Sequence, residues 1–342
     1  MKQLRILLLM HEDLVPPNDI EGLTPKQIAP FKTEYDVYAG LYNLGHEVKK
    51  LGVYSDLGVL RVAIEKLKPH ITFNLLEEFH GVAVYDHSVV SYLELLKSPY
   101  TGCNPRGLML AHDKALSKSI LAYHRINVPD FAVFPVGRKV RRPRKLVFPL
   151  LVKSLIEEGS VGISRASVVH DDAKLKDRVE FVHRYNGTDA IAEQFIDGRE
   201  LYVSILGNQR LQMLPIWELH FDRLPDGMPA IATSKVKWDY KYQERVGVRT
   251  AAAEDLPDPI RHKIQRVCKR AYKTLNLSGY ARMDLRLDAD GEVYIIEANP
   301  NPQLAYGEDF AESAHAAEMS YEGLLSRIIS LGLSYRPAWR TD

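Results

Sequence analysis

The sequence has almost no cysteine, no long apolar run and no excess of charge of one sign. Cys103 and Cys268 are the only cysteines in 342 residues, and their wide separation excludes a disulfide framework or a paired-cysteine metal site and favours a cytoplasmic location. Apolar runs such as residues 6–10 are far shorter than the roughly 20 residues that cross a bilayer, so no membrane partner is expected. The 45 basic and 44 acidic residues give a net charge of +1, which provides no general attraction to nucleic acid.

The chain does have enough apolar residues to build several cores. Its 342 residues, of which 46% are hydrophobic, exceed what one compact core accommodates. The order of the apolar segments predicts an α/β protein with three parts. We expect an N-terminal domain with a doubly wound parallel sheet over residues 1–103, a central α+β lobe over 104–196 and a C-terminal α+β lobe over 197–342.

Short apolar strands alternate with helical patterns in the first part, as in βαβ units. Strands are predicted at residues 5–10, 46–53 and 70–76, helices at 33–44 and 57–67, and a terminal strand and turn at 98–102. In the two later parts we predict helices at 113–125, 172–185, 257–275 and 310–329, and strands at 131–135, 148–153 and 163–168. Residues 280–302 are predicted to form a β-hairpin with its turn at 288–291.

The predicted hairpin gathers polar side chains on one face. Residues two apart share a face of a strand, so Arg282 and Asp284 lie together and the apolar residues between them face the core. Pairing continued regularly from the turn places Glu297 opposite Arg282, with Asn299 projecting to the same side. Carboxylate and amide oxygens are ligands that Mg²⁺ prefers. A solvent-facing strand with incidental charges is the alternative, but the apolar run before Glu297 favours a buried site.

A second group of residues has features of a nucleotide site. Lys153 ends an apolar strand directly before a glycine-containing segment with Ser160, whose backbone N–H groups could approach phosphate oxygens. A plain hairpin turn is the alternative for that segment. Residues 191–196 end another strand, where exposed backbone could bond to an adenine edge. Glu200 could then reach a ribose hydroxyl, or it is an ordinary surface carboxylate.

Taken in order, these segments resemble the ATP-grasp ligases, and most of all the D-alanine–D-alanine ligase family. The similarity covers nearly the whole chain. Its main segments are HDKALSK at 112–118, Lys153 with GSVG, EQFIDGRE at 193–200, RMD at 282–284, EAN at 297–299 and AEMSYEGLLSRII at 317–329.

The resemblance implies the ATP-grasp fold, with two α+β lobes that enclose ATP, and an activity that joins a small-molecule carboxylate to an amine through an acyl phosphate. It also implies ATP and Mg²⁺ as cofactors, with two ions and Mn²⁺ as a substitute, and a homodimer. The implied ATP contacts are Lys114, Lys153, Ser160, Glu193, Gln194, Phe195, Ile196 and Glu200, and the implied metal ligands are Asp284, Glu297 and Asn299. Arg282 would stabilise charge during phosphoryl transfer, and Lys241, or Lys237 in the same loop, would reach the γ-phosphate.

The departures from the family concern the substrates. Residues 10–17 replace the family's Gly-Ser-rich turn, and residues 80–87 lack its glycine and acid pattern. Two acids stand where the family places small hydroxyl residues, and they would repel a carboxylate. Five residues are therefore candidate substrate contacts: Glu12, His80, Tyr242, Glu308 and Asp309. We expect a cationic or polyhydroxylated substrate group near Glu308 and Asp309; capping of the following helix is the alternative.

The same residues are compatible with three other functions. The protein could be a small-molecule kinase that phosphorylates a hydroxyl, an authentic D-alanine–D-alanine ligase, or a module that only binds a nucleotide. The complete set of phosphoryl-transfer residues favours an active enzyme over a binding module. The basic run at residues 138–145 could bind a polyanion, but without flanking aromatic residues it is better explained as a solvated hairpin loop.

Overall fold

The structure, a computed structural model, describes residues 2–157, 162–225 and 229–337. These residues form a three-stranded parallel sheet and two antiparallel sheets of four and five strands, with helices packed on them. The predicted α/β class is confirmed, whereas the domain boundaries at 103 and 196 stay a prediction. Across the described part of the chain, no helix combines the length and apolarity needed to span a bilayer.

The N-terminal sheet is built around one apolar strand, β1, which lies between two parallel neighbours. Its elements are β1 (Arg5–His11), α1 (Pro25–Ile28), α2 (Lys32–Asn43), β2 (Glu47–Val53), α3 (Leu57–Leu67) and β3 (Ile71–Asn74). The strand order is β2-β1-β3, and residues 6–10 are fully buried because helices cover both faces. The terminal strand predicted at 98–102 is wrong in extent, since only Tyr100 forms a bridge, to Thr72 of β3.

Three helices lead from this sheet to a four-stranded antiparallel sheet. The elements are α4 (Asp86–Leu95), α5 (Pro105–His112), α6 (Lys114–Tyr123), β4 (Phe131–Phe134), β5 (Leu150–Ser154), β6 (Val168–Val169), α7 (Asp172–Asn186) and β7 (Ala190–Gln194). The strand predicted at 163–168 is mostly wrong, because a 3₁₀ turn at Arg165–Ser167 precedes the two residues of β6. Residues 138–145 are not a hairpin loop either, because β4 pairs with β7 and not with β5.

The five-stranded antiparallel sheet carries the predicted hairpin in the order β10-β9-β8-β11-β12. Its elements are β8 (Arg199–Leu206), β9 (Gln212–Phe221), α8 (Ser234–Trp238), α9 (Tyr240–Val246), β10 (Val248–Ala252), α10 (Asp258–Thr274), β11 (Tyr280–Leu287) and β12 (Val293–Pro300). The amphipathic α10 covers one face of this sheet with Ile264, Cys268 and Ala271. The opposite face of β11 and β12 is therefore the one available for a site.

The closing helix predicted at 310–329 is wrong, because it is two helices, α11 (Asp309–His315) and α12 (Tyr321–Ser334). Glu318 adopts a left-handed backbone conformation at φ 59°, which stops the first helix. Ser320 then caps the second by accepting from the Gly323 N–H. Helix α12 packs on the N-terminal sheet, where Leu324 and Ile328 share a core with residues of β1.

Gly332→Ala tests this contact between α12 and the N-terminal sheet. A Cβ at residue 332 would lie 2.3 Å from the Tyr100 carbonyl oxygen and 2.8 Å from Cδ1 of Ile71. Because a backbone carbonyl cannot easily move aside, we expect the free energy of unfolding in urea to fall by about 1–3 kcal/mol.

The matched control is Gly323→Ala in the same helix. The nearest neighbour of its added Cβ is the Ser320 Oγ at 3.2 Å, and the higher helix propensity of alanine offsets a small adjustment. Its stability should stay within about 0.5 kcal/mol of wild type. Equal stability of the two variants would contradict the packing of α12.

Candidate functional site

A bulge in the β11–β12 hairpin decides which face carries the predicted metal ligands. Asp284 pairs with Glu297, whereas the next residue of β11 pairs with Ile295, so Ile296 is left without a partner. The predicted regular register, with Glu297 opposite Arg282, is therefore wrong. The extra residue shifts the alternation of side chains, so Glu297 leaves the core-facing row of Ile295 and projects beside Asp284.

The convergence of four polar groups is observed despite the wrong register. Arg282 lies directly opposite Asn299, next to the Asp284–Glu297 pair. The Arg282 guanidinium binds Asp284 through two hydrogen bonds of 2.7 and 2.9 Å and lies 4.8 Å above the Tyr202 ring. Burial alone would lower the pKa of Arg282, but the Asp284 carboxylate raises it above its usual range. Burial also raises the pKa of Asp284, and Arg282 opposes that rise.

The backbone groups that the bulge leaves unpaired are bound by neighbouring elements. The Ile295 N–H donates to the Asn127 carbonyl at 2.9 Å, and the Ile296 carbonyl accepts from Nζ of Lys118 at 2.5 Å. Lys118 is not among the predicted site residues. Its position four residues after Lys114, on the same face of a helix, is the sequence feature that indicates it.

Three buried lysines, the buried Glu193 and the partly buried Glu297 meet beside the hairpin. Glu193 has its Oε1 3.2 Å from Nζ of Lys153 and 3.5 Å from Nζ of Lys118, and Nζ of Lys114 lies 3.0 Å from Oε1 of Glu297. Burial would raise the pKa of Glu297, but Lys114 and Lys153 lower it to about 2. Burial lowers the pKa of Lys118 to about 8, and Glu193 limits this decrease.

Three ammonium groups converge on this side of the cleft, and carboxylates of Glu193 and Glu297 lie beside them. Buried ammonium groups are stabilised by nearby anions. The cluster therefore suits a polyanion such as a nucleoside triphosphate.

A cleft between the four-stranded and five-stranded sheets brings together most of the residues predicted to bind ATP and the metal. It is lined by Leu151, Lys153, Ile163, Glu193, Gln194, Phe195, Ile196, Glu200, Ile231, Ala232, Lys237, Asp284, Leu285, Arg286, Ile296 and Glu297. Another groove, on β2 and α3, is lined by none of the predicted residues. The cleft has both apolar walls and convergent charges, which is typical of a ligand site.

The predicted loop at 237–242 is two short helices, and it places a different lysine in the cleft. Lys237 of α8 lines the cleft, whereas Lys241 is exposed on α9. Asp239 separates the helices and caps α9 by accepting from the Tyr242 N–H. Of the two lysines, the structure therefore favours Lys237 over the predicted Lys241. Tyr242 itself is buried in a small core with Val236, and its hydroxyl accepts a hydrogen bond from the Arg165 guanidinium at 2.7 Å. It does not line the cleft.

Glu200, predicted at the ribose, is held by a buried arginine that the sequence analysis missed. Arg286 binds Glu200 at 2.6 Å, the Ala230 carbonyl at 2.6 Å and the Gly198 carbonyl at 3.0 Å. Its guanidinium also lies 5.7 Å from the centre of the Phe195 ring. Arg286 lies on the same face of β11 as Arg282 and Asp284. The two-residue period of a strand is therefore the sequence feature that indicates its place in the site.

The predicted adenine hinge, residues 193–196, consists of the last two residues of β7 and the two residues that follow. Its Gln194 and Phe195 N–H groups donate to the Asp130 and Pro149 carbonyls, so these two groups are already bonded within the protein. The Glu193 side chain points to the lysines and not to the outer end of the cleft. Ser160 lies outside the described residues.

The N-terminal substrate candidates lie at the carboxyl edge of the parallel sheet. Glu12 is exposed in a 3₁₀ turn directly after β1. His80 donates its N–H to the Tyr54 carbonyl at 2.7 Å, and its ring lies 5.6 Å from that of Tyr54. His11, which the sequence analysis did not select, lies 5.4 Å from Tyr54 on the other side. Ligands of parallel sheets bind at this edge.

Glu308 and Asp309 begin helix α11 beside the hairpin. Oδ2 of Asp309 is 3.7 Å from Nη1 of Arg282, so this acid borders the predicted reaction centre. Glu308 is the residue that precedes the helix, but its side chain makes no capping hydrogen bond. Burial and then the nearby Asp309 raise the pKa of Glu308. Capping alone therefore does not account for Glu308.

The residues present fit a divalent cation. Asp284 and Glu297 are direct neighbours across the hairpin, and directly opposed side chains have Cβ atoms about 5 Å apart. The Asn299 amide beside them has a buried Nδ2 with no hydrogen-bond partner among the described residues. The described chain has no group of three or more His, Cys, Asp or Glu of metal-binding geometry, so the set consists of two carboxylates and one amide. Such oxygen ligands suit Mg²⁺ when phosphate oxygens complete the coordination.

Comparisons with known proteins agree with this geometry. The sequence profile of the family described as D-ala D-ala ligase C-terminus matches residues 120–330. A D-alanine–D-alanine ligase of Desulfotalea psychrophila is 30% identical over 276 residues, which cover 80% of this chain and 81% of the relative. The protein y4sG of Sinorhizobium fredii is 29% identical over 303 residues, which cover 86% and 85%.

The similarity extends to three dimensions. The crystal structure of D-alanine–D-alanine ligase from Bacillus anthracis complexed with ATP superposes on this chain with a TM-score of 0.74 at 25% identity. The superposition covers 96% of this chain and 97% of that chain. It therefore includes the N-terminal sheet as well as the two sheets that form the cleft.

Proposed function

This chain belongs to the D-alanine–D-alanine ligase family of ATP-dependent C–N ligases, and from that premise we propose that it joins a carboxylate to an amine through an acyl phosphate, with substrates other than two D-alanines. The predicted ATP-grasp fold and enzyme class are confirmed by this membership. The homodimer, the cytoplasmic location and the identity of the metal ions stay predictions.

The observation that supports the proposal most is the meeting of two kinds of charge in one cleft. The buried ammonium groups of Lys114 and Lys153 lie on one side, and Asp284 and Glu297 lie beside them on the hairpin. Phosphoryl transfer needs positioning and charge neutralisation more than a nucleophile from the protein. The cleft supplies both.

ATP would bind along the cleft from the hinge to the hairpin. The base would pack against the apolar side chains of Phe195, Ile196 and Ile231, and Glu200 would accept from a ribose hydroxyl while Arg286 holds it in place. The phosphates would then lie over Lys114 and Lys153. Lys237, on the α8 side of the cleft, would approach the γ-phosphate.

Asp284, Glu297 and Asn299 would hold Mg²⁺, which neutralises and orients the phosphate oxygens when it is bound. To serve as metal ligands, the carboxylates would have to bind the cation and their basic partners at the same time: Lys114 in the case of Glu297, and Arg282 in the case of Asp284. Both carboxylates have the oxygen lone pairs to do so.

The reaction would proceed in two steps. A carboxylate oxygen of the first substrate attacks the γ-phosphorus, the bond to the bridging oxygen breaks, and ADP leaves. The amine of the second substrate, in its neutral form, then attacks the acyl carbon. The C–O bond to phosphate breaks as the amide forms, and the amine proton leaves with the released phosphate as hydrogen phosphate. The Arg282 guanidinium, fixed by Asp284 and the Tyr202 ring, would stabilise negative charge in both steps.

Amine-dependent phosphate release is the direct test of the ligase function. With ATP, Mg²⁺ and a panel of carboxylates and amines, we expect ADP, free phosphate and an amide product in equal amounts, detected by coupled assay and mass spectrometry. A stable phosphorylated product with no need for an amine would instead identify a small-molecule kinase.

Glu297→Gln and Asp284→Asn test the proposed metal site. Each change removes a carboxylate charge with little change in volume, so metal binding should weaken while the fold is kept. We expect turnover to fall by at least about a hundredfold, while circular dichroism still shows a folded protein. Full activity of either variant at saturating Mg²⁺ would remove that residue from the site.

The two acids at the start of α11 indicate the class of substrate. At about 4 Å and an effective dielectric constant near 20, a like charge costs up to about 4 kcal/mol before screening. A substrate carboxylate beside Glu308 and Asp309 would therefore be disfavoured. We infer that one substrate presents a cationic or polyhydroxylated group there, as a diamine, a basic amino acid or an amino sugar would.

Glu308→Gln is expected to change substrate selectivity. The ratio of kcat/KM for cationic over neutral amines should fall about tenfold or more, because one attractive charge is lost. Glu318→Gln removes an exposed acid after the end of the same helix and is the control. Efficient formation of D-alanyl-D-alanine by the wild-type protein would contradict the repulsion argument, and unchanged selectivity of Glu308→Gln would leave a structural role for that acid.

A further inference from the structure

The alternation of side chains along β12 shows what the bulge does for Glu297. Val293 and Ile295 are 1% exposed and belong to the core under α10. Because residues two apart share a face, a regular strand would direct residue 297 into the same core. The unpaired Ile296 reverses this direction, and Ala298 becomes the core residue instead. Without the bulge the Glu297 side chain would point into the core, and with the bulge it points toward the other proposed metal ligands.

A bulge inside a protein is stable only if its unpaired backbone groups find partners. A buried carbonyl without a hydrogen bond costs about 1–3 kcal/mol. Here the Ile295 N–H donates to a backbone carbonyl, that of Asn127. The Ile296 carbonyl accepts from a side chain, Nζ of Lys118 at 2.5 Å. The side chain of Lys118 therefore binds the displaced residue itself.

Lys118 is held rigidly where it makes this contact. Its side chain is 2% exposed, and Glu193 on β7 lies 3.5 Å from its Nζ. One helical turn earlier, Lys114 contacts the Glu297 carboxylate at 3.0 Å. Helix α6 thus holds both the backbone that precedes Glu297 and the Glu297 side chain. Burial of an ammonium group costs several kcal/mol, so stability alone does not explain a lysine at this position.

We propose that Lys118 is a positioning residue for Glu297: by binding the Ile296 carbonyl it holds the bulge that directs the Glu297 carboxylate toward Asp284 and the cation. The inference rests on the proposed metal role of Glu297. Lys118 contacts neither substrate nor cation in this scheme and acts through the backbone of β12.

The sign of a change in metal affinity distinguishes positioning from plain electrostatics. Removal of a positive charge near a cation site should by Coulomb's law tighten binding of the cation. Removal of a residue that orients a ligand should weaken it, typically about 10–100-fold. Lys118→Met keeps the length of the side chain and removes the charged donor. In this variant the loss of charge would raise the affinity for the cation, whereas the loss of positioning would lower it.

Mn²⁺ binding to Lys118→Met provides the measurement. Free Mn²⁺ is titrated by electron paramagnetic resonance with the protein saturated by adenylyl imidodiphosphate, a non-hydrolysable ATP analogue, so the result does not depend on turnover. We expect Mn²⁺ affinity to fall about 10–100-fold. Lys118→Gln, which keeps an N–H donor without the charge, should lie between Lys118→Met and wild type.

Lys263→Met is the matched control. Lys263 also reaches from a helix to the same hairpin, where its Nζ donates to the Gly291 carbonyl at 2.9 Å and pairs with Glu292 at 2.7 Å. It holds the turn and not the bulge. Its replacement should leave Mn²⁺ affinity unchanged.

The outcomes separate this inference from the function on which it rests. Weaker Mn²⁺ binding by Lys118→Met, or by Lys118→Gln if the first variant does not fold, supports the positioning role when near-ultraviolet circular dichroism is that of wild type. Equal or tighter binding overturns it, and so does failure of both variants to fold, which would assign Lys118 to folding. Wild-type affinity in Glu297→Gln would instead refute the metal role of Glu297.

Discussion

The burial of three lysines beside two glutamates is the constraint on which the rest of the cleft depends. Isolated buried charges are too costly to keep, so each ammonium must lie within reach of a carboxylate or a carbonyl. Lys114, Lys118 and Lys153 meet this requirement from two elements, α6 and β5, and Glu193 and Glu297 meet it from the two antiparallel sheets. The ion pairs therefore join the two lobes at the point where ATP is proposed to bind.

In the proposed function, each part of the cleft has a different task. Apolar residues after β7 and near β11 would form the walls for a base, the lysines would provide positive charge for phosphates, and the acids of the hairpin would hold the cation. Arg282, between two acids and over an aromatic ring, is held in one orientation. A site assembled in this way loses little conformational freedom when its substrates bind, which is the basis of electrostatic catalysis.

The sequence predicted the structure correctly where a local residue pattern determines the backbone geometry. It did not do so where contacts with distant residues determine that geometry. Helix α3 lies at the predicted residues, and the polar face of β11 was found from its two-residue period. The register of β12 was missed because the backbone at the bulge is bound by Lys118 and Asn127, which are far away in the chain. The break between α11 and α12 was missed because the helical pattern continues through Glu318 and Ser320, although the serine was a possible cap. Arg286 and Lys118 were missed because charged residues are usually exposed, and only their periodic spacing from other site residues marked them.

The packing of α12 on the N-terminal sheet has a consequence for biosynthesis. The face of β1 that carries Ile6, Leu8 and Met10 shares its core with Leu324, Leu325 and Ile328. These two sets of residues are more than three hundred positions apart in the chain. The first sheet therefore leaves the ribosome before the helix that covers one of its faces. Its apolar face is fully shielded from water only after residues 324–328 have been made. Until then the apolar surface of the nascent N-terminal segment stays exposed, and exposed surface of this kind favours aggregation.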